Sequence, residues 1–217
     1  MNLASTIDHT ILKPDAAEQD ILRLCAEAAE YGFASVCVNP IFVPLAHEQL
    51  SGKSPVVCTV AGFPLGALST EAKAKDAEIS IRNGAAEVDM VISVGLLKQG
   101  AKDRVLEDIQ TLADLCHQKE ALLKVIIETC LLSSDEKKLA CELVCKANAD
   151  FVKTSTGFAG GGATVDDVRL LKSCVQGSGV KVKASGGIRS REDALSMIEA
   201  GADRIGTSSG VKIVTGG

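Results

Sequence analysis

Short apolar runs recur along the chain, each followed by a longer segment in which apolar positions return every three or four residues. The runs at 6–10, 34–38, 56–61, 87–92, 122–127, 150–154, 180–184 and 204–206 read as buried strands. Segments near 16–30, 41–50, 70–83, 99–118, 134–147, 165–175 and 191–200 read as helices, with a short one expected after 208. Three helix starts carry a hydroxyl with a carboxylate three residues on: Ser133 with Glu136, Thr164 with Asp167, and Ser190 with Asp193. The hydroxyl can accept from first-turn amides while the carboxylate reaches back. Such strict alternation predicts a parallel sheet with helical crossovers.

A weak repeat marks the entries into strands: Gly84-Ala85-Ala86-Glu87-Val88-Asp89, Ala147-Asn148-Ala149-Asp150-Phe151 and Gly201-Ala202-Asp203-Arg204. Eight units in 217 residues leave about 27 residues each, near the lower end for a (β/α)8 TIM barrel. That α/β fold is expected over 1–217 as a single domain. An open doubly wound sheet fits less well, because no glycine-rich nucleotide loop follows the first strand.

Strand side chains alternate, and in a barrel the outward face packs under helices. On that rule Val88, Met90 and Ile92 point outward and Asp89 inward, while Leu123, Val125 and Ile127 leave Lys124 inside. Asp8, Lys153 and Lys183 also turn inward. A single lysine in a strand is ordinarily an edge or snorkelling residue, and a buried ion-pair network is weak support for stability. Five ionisable residues from five strands, near ends followed by Gly-, Ser- and Thr-rich turns, argue for a site at the carboxyl mouth of the barrel.

Composition narrows the chemistry. A net charge of −5, 3% aromatic content and no tryptophan argue against a nucleic-acid partner. The eight cysteines form no C-x-x-C and read as reduced, mostly buried side chains. Cys141 and Cys145 stand one helical turn apart without a recognisable third ligand, so neither metal nor cofactor is expected. No apolar run approaches membrane-spanning length, and Met1 to Asp8 lacks the basic start and apolar run of a signal peptide. A cytoplasmic location with no membrane partner is expected. His9, His47 and His117 adjoin apolar or helical stretches and read as structural.

A lysine crowded by a second cation and partly desolvated loses affinity for its proton. The free amine can attack a carbonyl, and the protonated imine then draws electrons from an adjacent C–H or C–C bond. Lys153, followed by Thr154-Ser155-Thr156, is the expected nucleophile, Lys183 the neighbouring cation and Asp89 a proton shuttle through water. Gly186-Gly187 and Gly206-Thr207-Ser208-Ser209-Gly210 follow strands seven and eight, where barrels often hold phosphate. Gly157 and the run Gly160-Gly161-Gly162 stand beside them, the run reading equally well as a mobile loop.

Ile7-Asp8-His9-Thr10, Phe63-Pro64-Leu65-Gly66, Glu87-Val88-Asp89, Lys124 to Thr129, Lys153-Thr154-Ser155-Thr156-Gly157 and Lys183-Ala184-Ser185-Gly186-Gly187-Ile188-Arg189 together resemble the deoxyribose-phosphate aldolase family. The resemblance implies a class I aldolase that cleaves 2-deoxy-D-ribose 5-phosphate to glyceraldehyde 3-phosphate and acetaldehyde, in deoxyribose phosphate breakdown. It assigns Lys153 as the Schiff-base lysine, Lys183 as the second lysine and Asp89 as the proton-transfer carboxylate. It makes Asp8 and Lys124 site-lining residues, and Gly157, Gly186, Gly187, Ser208 and Ser209 the phosphate region. A homo-oligomer, dimer or tetramer, is expected. Two departures bear on phosphate contact and tail-assisted proton transfer. Phe158 stands where some members carry lysine, and Tyr31 is the sole tyrosine of these 217 residues, whereas some members carry one in a longer tail. A transaldolase-like Schiff-base enzyme and a non-catalytic phosphosugar-binding barrel are the alternatives.

Overall fold

The computed structural model describes residues 2–216; Met1 and Gly217, the ends of the span expected for the barrel domain, lie outside them. Eight parallel strands close in chain order: β1 (Ile7–Ile11), β2 (Ser35–Val38), β3 (Val56–Ala61), β4 (Glu87–Val91), β5 (Leu122–Ile126), β6 (Phe151–Lys153), β7 (Lys181–Ser185) and β8 (Arg204–Thr207). β1 pairs with β8, completing the barrel that the alternation predicts. Every strand boundary falls within one residue of its expected place.

The helices are α1 (Glu18–Tyr31), α2 (Val43–Leu50), α3 (Thr70–Arg82), α4 (Val94–Lys98), α5 (Lys102–Gln118), α6 (Ser134–Lys146), α7 (Val165–Cys174), α8 (Arg191–Glu199) and α9 (Gly210–Thr215). The segment expected to be helical from about 99 instead starts at Lys102, because Gly100 takes a left-handed φ of 80° and turns the chain between α4 and α5. The expected caps form. Ser133 with Glu136, and Ser190 with Asp193, bond reciprocally, while Thr164 accepts from the Asp167 amide at 3.0 Å.

Strand parity divides the interior into two environments. The outward faces, including Val36, Val88, Met90, Leu123, Val125 and Val182, join helix residues such as Leu24, Ile109, Leu112, Val144 and Leu171 in one apolar shell. Inside the barrel the apolar cluster is small: Leu12, Cys37, Cys58 and Val60, with Phe63 against it. The hydrophobic drive to fold therefore lies mainly between sheet and helices. Among the described residues, no helix is long and apolar enough to cross a membrane.

Candidate active site

The inward positions of the eight strands carry one polar cluster. β1 contributes Asp8, β4 Glu87 and Asp89, β5 Lys124, β6 Lys153, β7 Lys183 and β8 Arg204, with Cys37 and Cys58 from β2 and β3. Register sets Lys153 beside Lys183, and Lys183 beside Arg204, on adjacent strands. The Asp89 Oδ2 accepts from both Lys153 and Lys183 at 2.7 Å, and its Oδ1 accepts from Lys124 at 2.8 Å. Lys124 also meets Glu87 at 2.6 Å, and Lys183 meets Asp8 at 2.5 Å. Arg204 closes the network on Asp8 at 2.6 Å and Glu87 at 3.2 Å, and the Ser35 hydroxyl donates to Asp8 at 2.7 Å.

Burial alone would push the Asp89 carboxyl up, but Lys124, Lys153 and Lys183 together hold it well below the usual carboxylate range. Asp8 is likewise buried, and Lys183, Lys124 and Arg204 lower it. Burial works against charge on Lys183, yet Asp8 and Asp89 keep its pKa above the ordinary lysine value; Asp89, Cys58, Glu87 and Asp8 do the same for buried Lys124. Four basic groups thus face three carboxylates: Lys124, Lys153, Lys183 and Arg204 against Asp8, Glu87 and Asp89. Lys124, Lys183 and Arg204 each touch at least two carboxylates, whereas Lys153 touches Asp89 alone. Lys153 is therefore the cation with the least compensation.

Lys153 also opens onto the cavity of about 560 Å³ at the carboxyl mouth. Thr156, Gly157 and Phe158 line one side, and Gly186, Gly187 and Ser208 line another. Asp8 and Lys124, expected to line the site, do not reach this cavity: both are fully buried beneath it, where the network above holds them. Ser209 also stays out of the lining, and its amide donates to the Thr207 hydroxyl at 2.9 Å. Two cations at the rim, Lys13 and Arg189, were not singled out from the sequence. Strand parity carries no signal for either, since both sit in loops past strand ends. Glu87 and Arg204 were also overlooked, although each lies on the inward parity of its strand.

The loops are fastened to one another. The Thr154 hydroxyl donates to the Ser185 carbonyl at 3.1 Å, and the Ser185 hydroxyl donates to the Ser155 carbonyl at 2.6 Å. Two glycines of the run are packed: a Cβ on Gly161 would sit 2.4 Å from the Cys130 Cβ, and one on Gly162 would sit 2.3 Å from the Gly186 carbonyl oxygen, while one on Gly160 would meet nothing within 4 Å. The Ala163 amide donates to the Ser185 and Gly186 carbonyls, both at 3.0 Å. This holds the Gly162 end of the run against the β7 turn by close backbone approach.

Cys37, Cys58 and Asp89 offer ligand atoms within 4.8 Å of one another, the one such group among the described residues. Three ammonium groups already occupy the Asp89 oxygens, so a cation there would displace them. The histidines lie elsewhere: His9 bonds Glu27 at 2.7 Å, His117 bonds Asp150 at 3.0 Å, and His47 packs against Gly84.

A family profile described as DeoC/LacD family aldolase matches residues 3–216. The deoxyribose-phosphate aldolase of Listeria welshimeri is 57% identical over 216 residues, covering 100% of this chain and 96% of the relative. That of Finegoldia magna is 56% identical, with 100% of both chains covered. A solved structure described as a unique tetrameric deoxyribose phosphate aldolase from Aeropyrum pernix matches with a TM-score of 0.92 at 38% identity, covering 98% of this chain and 89% of that one.

Proposed function

This chain belongs to the DeoC/LacD family of aldolases, and from that premise we propose that it cleaves 2-deoxy-D-ribose 5-phosphate reversibly to D-glyceraldehyde 3-phosphate and acetaldehyde. The observation that carries the mechanism is Lys153: it is the least-paired cation of a buried cluster and the member that reaches the cavity. In the proposed reaction its amine, freed of a proton, adds to the substrate aldehyde, and loss of water gives the protonated imine. That imine draws the electrons of the C2–C3 bond as it breaks, while the C3 hydroxyl gives up its proton and leaves as an aldehyde. The enamine left on Lys153 takes a proton at C2, and water then releases acetaldehyde.

Lys183, held protonated by Asp8 and Asp89, supplies fixed positive charge beside the imine. Asp89, held ionised, is in the form that accepts a proton, and its 2.7 Å contact with Lys153 gives that proton a short path. Asp8 and Lys124 act below the substrate by fixing Lys183 and Asp89. The amides of Gly157, Gly186, Gly187 and Ser208, with Lys13 and Arg189 at the rim, make up the proposed phosphate region, and Ser209 braces it through Thr207. One barrel domain over 1–217 is proposed to carry all of this, assembled as a dimer or tetramer.

Acetaldehyde with borohydride tests the reading. The expected result is a two-carbon mass increment on the peptide containing Lys153, lost in Lys153→Ala. No increment would make the chain a phosphosugar-binding barrel, and an increment only with a ketose donor would make it transaldolase-like.

A further inference from the structure

Six carboxylate side chains are buried among the described residues: Asp8, Glu87, Asp89, Asp108, Glu128 and Asp167. Five of them meet a lysine or arginine within ion-pair distance. Glu128 alone has no basic partner among the described residues, although it is 3% exposed. Its backbone is also unusual, with φ 55° and ψ 67° just past the end of β5, a left-handed conformation that non-glycine residues seldom adopt. A buried, uncompensated carboxylate on strained backbone is retained only where surrounding contacts over-determine it. Here those contacts come chiefly from one residue. The Thr156 amide donates to Oε1 at 3.2 Å and Oε2 at 3.3 Å, and the Thr156 hydroxyl donates to Oε2 as well.

We propose that Glu128 is a positioning residue, which fixes the Thr156-Gly157-Phe158 turn at the cavity mouth by accepting both polar hydrogens of Thr156. The proposal rests on the aldolase reading above and adds a residue to its machinery. With its own hydrogen committed to Glu128, the Thr156 oxygen turns its lone pair to the Phe158 amide, 3.0 Å away. That bond closes the turn over Gly157. Thr154 and Ser155 are meanwhile tied to Ser185 at the end of β7. The segment leaving Lys153 is thus staked to β7 by its first two residues and to the loop after β5 by its third. A carboxylate suits the task because it only accepts. A glutamine at 128 would aim an N–H at one of two Thr156 donors, leaving a buried donor without an acceptor.

The test compares wild type, Glu128→Gln, Thr156→Val and the double variant. Glu128→Gln is expected to raise KM for deoxyribose 5-phosphate about tenfold, the scale of one hydrogen bond to a charged group. Borohydride capture of acetaldehyde at Lys153 should stay within about twofold of wild type, because the two-carbon aldehyde does not reach the turn. In the Thr156→Val background the same change should add less than about twofold, since the residue acts through Thr156. Chymotrypsin gives a readout independent of activity: Glu128→Gln should speed cleavage after Phe158 selectively. Unchanged KM and cleavage, additive effects in the double variant, or faster cleavage spread over all phenylalanines with a lowered Tm would each overturn the proposal. Failure of wild type itself to capture acetaldehyde would instead refute the aldolase reading, with the chymotrypsin result still deciding whether Glu128 holds the turn.

Discussion

Gly162 offers a direct way to separate phosphate binding from imine chemistry. Its backbone is not in the left-handed region, so alanine there brings no conformational strain of its own. The effect is one of space: the added Cβ would lie 2.3 Å from the Gly186 carbonyl oxygen, where ordinary contact begins at 3.4 Å. The β7 turn must therefore retreat by roughly 1 Å, since packed backbone yields little. That movement pulls the Gly186 and Ser185 carbonyls from the Ala163 amide and shifts Gly187, on the side of the cavity proposed for phosphate. Misplacement on this scale can cost about 100-fold in rate. Gly162→Ala is thus expected to lower kcat/KM for deoxyribose 5-phosphate about 10- to 100-fold, mostly through KM. Steady-state kinetics beside acetaldehyde capture at Lys153 measures the split. If capture falls in step with kcat/KM, or if KM does not move, the Gly162–Gly186 contact is not what holds the phosphate region.

Two further outcomes follow from the charges. Asp8 and Asp89 titrate lower in the folded protein than in the unfolded chain, so the stability they contribute is present above about pH 3.9 and lost as pH falls below it. Asp8→Asn should be less stable than wild type at pH 7 yet decline less steeply between about pH 4.5 and 2 in urea titrations; parallel declines would mean this carboxylate carries no such linkage. Phe158, half exposed at the rim and edge-on to Phe63 at 5.3 Å, is the other case. Phe158→Lys should lose about 1 kcal/mol of stability with the aromatic pair while lowering KM several-fold at low ionic strength, a gain that salt erases. Equal KM at low salt would place the phosphate away from this side chain.

Much of this architecture was legible because β-strands alternate. Val88, Asp89 and Met90 declare their faces without help from any other part of the chain, and so do Leu123, Lys124 and Val125. The converging charges were found on that rule alone. Glu87 and Arg204 obey it too, but they open their strands, where a charge next to a helix-ending Gly-Ala reads as solvated. Only the closed sheet brings β4, β5 and β8 close enough for Arg204 and Lys124 to share Glu87. Depth along the strand was also hidden. Parity turned Asp8 and Lys124 inward, but the stagger between strands decides that they lie beneath the cavity while Lys153 opens onto it. Glu128 gave no signal, since neither its backbone conformation nor its distance to Thr156 is written in local pattern.

The division between an oily shell and a charged lumen sets how substitutions should be tolerated along a single strand. On β4, Val88 and Met90 answer only to volume, and another aliphatic side chain of similar size can replace either. Glu87 and Asp89, one step away, belong to an electrical balance kept jointly with β1, β5, β6, β7 and β8. Altering one of them calls for an answering change on a distant stretch of sequence. Adjacent codons in this chain are thus free to drift on one face and bound to remote partners on the other.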